Sequence, residues 1–71
     1  MEERIYLKNF GCNLRKIRKS KNISQEELGF KSELHRTYIG MIERGEKNIT
    51  LLNIYKLSNG LNVEVNLLFI K

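Results

Sequence analysis

The chain has 71 residues, a formal net charge of +5 and hydrophobic side chains at 41% of its positions, enough for one small packed domain over 1–71 and too few for a second. Its single cysteine, Cys12, excludes an internal disulfide, and Cys12 with His35 falls short of a structural zinc site, so no metal and no other cofactor is expected. No apolar run approaches the ~20 residues of a membrane span and no signal-peptide core follows Met1, so a cytoplasmic chain away from the membrane is expected.

The elements follow in order. Residues 1–8 are ambiguous: Ile5, Tyr6 and Leu7 can extend a first helix or lie against the domain. Phe10, Leu14 and Ile17 fall at i, i+4 and i+7, one stripe of a helix running to about Lys21. Cys12 reads as a half-buried residue of that helix, and Asn22 stands where a helix often ends in a left-handed residue. Ser24-Gln25-Glu26-Glu27 is a capping box. The Ser24 hydroxyl can accept from the amide of Glu27, whose carboxylate can return to the amide of Ser24, while Ile23 and Leu28 are spaced for a hydrophobic staple. This second helix should stop near Lys31-Ser32. A third follows from about Arg36 with Ile39 and Ile42 facing inward, and Gly45 supplies a left-handed stop. Thr50 can cap a fourth helix, on which Leu51, Ile54, Leu57 and Leu61 recur at helical spacing before Asn62 breaks it. Val65, Leu68 and Phe69 suggest a short last helix. The expected class is all-α, with five helices and no strand.

The charge is not spread evenly. Lys8, Arg15, Lys16, Arg18, Lys19 and Lys21 fall in one stretch that holds no acidic residue, and the rest of the chain is close to neutral. Such a one-sided basic stripe is either a solvated helix face or the electrostatic footprint of a nucleic-acid binder. A classical enzyme is not expected. So short a chain has little room for a closed pocket, and no nucleophile–base pair or metal cluster is visible.

Two short helices joined by a tight turn, over about 24–44, match the helix-turn-helix. From Ser24-Gln25-Glu26-Glu27-Leu28 through Arg36-Thr37-Tyr38-Ile39-Gly40 to Ile42-Glu43-Arg44-Gly45, the sequence resembles lambda-repressor-like (Xre-family) regulators. The likeness extends over about residues 7–69. Within the family, Leu34-His35-Arg36-Thr37-Tyr38-Ile39 followed by Ile42-Glu43-Arg44 is most similar to the controller proteins of restriction–modification systems. Four positions depart from the family pattern. Gly29 stands where Ala is usual, Glu33 occupies a turn position where Gly is common, Ile49 replaces a frequent Pro, and Glu64 replaces the usual cap of the last helix.

The resemblance implies a homodimer that regulates transcription from a double-stranded operator. It admits two dimers on adjacent sites and RNA polymerase as further partners. It also implies a partly buried ion pair between Arg18 and Glu43. In a helix-turn-helix the second helix enters the major groove, which makes Arg36, Thr37, Tyr38, Gly40 and Met41 the candidate base contacts. Arg36 suits the two acceptors of a guanine edge. Gly40 would admit close approach from an exposed face, and for Tyr38 partial core packing is the competing role. Gln25 and Ser24 open a helix N-terminus that favours phosphate. Arg15, Arg18, Lys19, Arg44, Lys47 and Asn48 complete the candidate backbone contacts. His35 reads as a helix-cap neighbour rather than a ligand or a base.

The C-terminal third, about 61–71, is the expected dimerisation surface. Six of the eight residues from Val63 to Ile70 are apolar, more than one short helix can bury in its own domain, and a domain without disulfide or metal gains from association. Val65, Leu67, Phe69 and Ile70 are placed at the interface and Leu68 inward; capping the monomer core is the alternative. A prophage-type or antitoxin repressor of the same family, or a pure protein-interaction module, are the competing functions. The basic first helix and Arg36 argue against the module.

Overall fold

Local signals dominate the architecture. In a computed structural model that describes residues 3–70, α1 (Glu3–Ser20), α2 (Gln25–Ser32), α3 (Arg36–Glu43) and α4 (Leu51–Leu61) are followed by a 3-10 helix (Val65–Phe69). No strand occurs among the described residues. The ambiguity at the start resolves from Glu3 onward in favour of helix; Met1, Glu2 and the Lys71 end of the expected dimerisation stretch lie outside the described residues. Glu3 in the first turn of α1 and Arg18 with Lys19 in its last turn both suit the helix dipole.

Three of the four stops are made by residue types that tolerate them. Asn22 (φ 62°), Glu33 (φ 62°), Asn62 (φ 58°) and Gly45 (φ 74°) all adopt the left-handed region. Glu33 is the costliest of these, since a glutamate has no short polar side chain to ease that backbone. The starts of α2, α3 and α4 are capped as well. The Ser24 hydroxyl accepts from Glu27 N at 3.0 Å and Thr50 Oγ1 from Asn53 N at 3.2 Å. His35 is itself the cap of α3, its Nδ1 accepting from Thr37 N at 3.0 Å. The Glu27 carboxylate lies 3.8 Å from Lys31 Nζ, along the helix rather than back toward Ser24.

Phe10, Leu14, Leu28, Ile39, Ile42, Leu57, Leu61 and Leu68 form one buried core, and Ile17, Ile23, Leu34 and Ile54 pack against it. Fully burying such a side chain contributes about 1.5–3 kcal/mol, so these few residues carry most of the apolar stabilisation. Leu51 departs from its stripe: it is 70% exposed, because the first turn of α4 projects beyond the core that Ile54, Leu57 and Leu61 reach. Cys12 is exposed rather than half-buried, since the buried arc of α1 runs through Phe10, Gly11, Asn13, Leu14 and Arg18 and leaves position 12 outside it.

Close backbone approaches set the angles between helices. A Cβ on Gly11 would collide with the carbonyl oxygens of Ile42 and Glu43, so α1 lies directly against the end of α3. A Cβ on Gly29 would come within 2.5 Å of the Leu34 carbonyl oxygen, so in this chain the departure from alanine is required by the turn between α2 and α3. The fifth helix is 3-10 rather than α. It is short and its Glu64 cap makes no side-chain hydrogen bond, conditions under which the tighter turn is common. Asn13 Nδ2 donates to the Leu68 carbonyl at 3.2 Å and ties this terminal helix to α1.

Candidate nucleic-acid interface

One open groove, about 610 Å³, runs between the end of α1, the start of α2 and the exposed side of α3. Arg15, Lys19, Arg36 and Arg44 reach it as exposed cations, with Ser24, Gln25, Glu26 and Gly40 between them. The starts of α2 and α3 both border the groove, so their dipoles add to the positive charge of these side chains.

Its floor is an ion pair. Arg18 Nε lies 2.6 Å from Glu43 Oε2 and Arg18 Nη2 lies 3.0 Å from Oε1, while Nη1 donates to the Ile23 carbonyl at 2.9 Å. The Glu43 side chain is 4% exposed and that of Arg18 9%. Arg18 is buried, and its Nε and one hydrogen of each terminal nitrogen are engaged, so its shown role is the ion pair. Its charge is spent on joining α1 to α3 and to the loop before α2.

Gln25 extends this network. Its Nε2 donates to Glu43 Oε1 at 3.0 Å. A carboxylate can only accept, so the nitrogen of the amide must face it. One Nε2 hydrogen and the Oε1 remain for a ligand in the groove. Gly40 is buried rather than on an exposed face, because the side chains of Gln25 and Arg44 lie over it; a Cβ there would sit 3.3 Å from Arg44 Nη1 and 3.5 Å from Gln25 Oε1. It forms the groove floor and supports those two side chains.

On α3, Arg36 and Thr37 are exposed and Met41 is half-buried. Tyr38 is also half-buried, its ring packed against the core. Asn53 Nδ2 of α4 donates to its hydroxyl at 3.0 Å, which leaves the phenolic proton free to donate onward. Arg44 is exposed and donates from Nε to Glu46 at 3.0 Å; that bond holds the Glu46 carboxyl below its ordinary range. Lys47 and Asn48 are exposed in the following loop, outside the groove. Three participants had no signal in the sequence: Asn53, Glu46 and Glu26, whose Oε2 lies 3.7 Å from Arg36 Nη1. Their partners are brought to them by packing or by an irregular loop, which no helical period reveals.

The C-terminal surface is apolar as well as exposed. Leu67, Phe69 and Ile70 are exposed, Val65 is half-buried, and Leu68 is fully buried. The Phe69 ring lies 5.3 Å from that of Phe10, in a tilted pair at the edge of the core. Among the described residues no helix is long and apolar enough to cross a membrane.

The comparisons with known proteins agree with this geometry. The helix-turn-helix (HTH_3) family profile matches residues 14–68. The control protein C.BamHI of Bacillus amyloliquefaciens is 55% identical over 56 residues, covering 78% of this chain and 69% of that protein. The control protein C.MunI of Mycoplasma sp is 43% identical over 61 residues, covering 84% and 82% of the two chains. Among solved structures, the restriction-modification controller protein C.AhdI from Aeromonas hydrophila superposes with a TM-score of 0.87 at 48% identity, over 89% of this chain and 96% of that one. The chain therefore belongs to the helix-turn-helix family, among its restriction–modification controller proteins, and is a DNA-binding transcription regulator rather than an enzyme.

Proposed function

We propose that two copies of this chain bind one pseudo-palindromic operator and control the genes of a neighbouring restriction–modification system. The observation that carries this reading is the groove, where Arg36 and Thr37 open α3 on its exposed side and Arg15, Lys19 and Arg44 flank them. In that arrangement α3 lies in the major groove. Arg36, Thr37, Tyr38 and Met41 face base edges, while Arg15, Lys19, Ser24, Gln25, Arg44, Lys47 and Asn48 hold the backbone. Tyr38 meets bases through its one unused proton. Regulation can extend to a second dimer on an adjacent site and to RNA polymerase bound beside it.

A single helix-turn-helix reads only a few base pairs, so a useful operator needs two copies with recognition helices about 34–36 Å apart. Leu67, Phe69 and Ile70 supply the surface for that pairing, with Val65 at its edge. Sedimentation equilibrium at micromolar concentration should show a dimer for the wild type and a monomer for Phe69→Asp. A wild-type chain that stays monomeric there and still binds one half-site tightly would remove the dimer.

A further inference from the structure

We propose that Glu26 is a positioning residue for Arg36: it holds the guanidinium over the groove, so that the sequence-reading contact is arranged before DNA arrives. The proposal rests on Arg36 being a base contact, as argued above. Arg36 is the first residue of α3, at the positive end of that helix dipole, and the first turn of α3 contains no acidic residue. Its own helix therefore repels the guanidinium and offers nothing to hold it. Glu26 supplies the missing anion from another element. It sits in the first turn of α2, where the dipole favours a negative charge, and its Oε2 lies 3.7 Å from Arg36 Nη1.

The pair matters little to the fold, since the two side chains are 76% and 62% exposed. Its consequence is the direction in which Arg36 points. Only Nη1 is paired in this way, so Nε and Nη2 remain as a planar fork that matches the O6 and N7 acceptors of guanine. An operator that presents guanine at this position benefits from a side chain already held in place. A random duplex gains nothing from the preset fork, whereas the phosphates of either duplex meet the Glu26 carboxylate as a like charge. Glu26 therefore raises the difference between the two affinities more than either affinity.

The test uses the full chain, four proteins and two probes. Wild type, Glu26→Gln, Arg36→Ala and the double variant are titrated against the best duplex recovered from a randomised pool and against a scrambled duplex of equal length and composition. Glu26→Gln should lower the ratio of the two affinities by about two- to fivefold, the range an exposed charge pair supports. It should bind the scrambled duplex at least as tightly as the wild type, with an unchanged thermal midpoint. In the Arg36→Ala background the change in ratio should vanish, because the two residues act as a unit. An equal change on both probes, or a change in ratio that survives without Arg36, overturns the proposal. If Arg36→Ala alone weakens both probes equally, the base contact itself fails and the positioning role with it. A selective loss in Arg36→Ala beside an unchanged ratio in Glu26→Gln overturns the role of Glu26 only.

Discussion

Replacing Arg18 with alanine should lower the unfolding free energy by about 3–5 kcal/mol, the usual cost of removing one partner from a buried ion pair. The substitution leaves the Glu43 carboxylate, only 4% exposed, with the Gln25 amide as its remaining donor. It also removes the donor to the Ile23 carbonyl. Total stabilities of folded domains are about 5–15 kcal/mol, so this loss is a large fraction of the whole. Urea titration followed by far-UV circular dichroism measures the change directly. Replacing Arg18 and Glu43 together by apolar residues of similar volume should cost much less, because no charge is then left buried. A loss below about 1 kcal/mol in Arg18→Ala would place the pair in the exposed class instead.

The second large effect concerns recognition. Arg36→Ala should weaken binding to the operator by about 1–3 kcal/mol, the discrimination carried by one bidentate contact to a guanine edge, and weaken binding to scrambled DNA far less. Its side chain is exposed and anchors no part of the core, so the fold should survive the change. Titration of both duplexes at one salt concentration separates the possibilities, because affinities at different salt are not comparable. Equal losses on the two duplexes would make Arg36 a phosphate contact.

The parts of this molecule that were legible in its sequence are those decided locally. The Ser24 and Thr50 caps, the left-handed stops at Asn22 and Gly45, the helix break at Asn62, and the inward positions on α1 and α3 each depend on a few neighbouring residues. What escaped depends on where one helix end lies relative to another. Leu51 shares the spacing of its inward stripe but stands beyond the edge of the core, where nothing covers it. Arg18 belongs by charge to the basic stripe, yet it is buried and paired with Glu43. Gly40 falls on an exposed face by sequence, and only the side chains of Gln25 and Arg44 make it a floor. The Glu26–Arg36 pair joins residues of two helices across the turn between them, and its geometry follows from the angle at which α2 meets α3.

Operator reading by two copies is tested most directly by selecting the wild-type chain's preferred duplexes from a randomised pool. One enriched sequence is expected, with two inverted half-sites centred about 10–10.5 base pairs apart and a guanine fixed in each half. Enrichment of a single unsymmetric site, or no enrichment above the random pool, would contradict it.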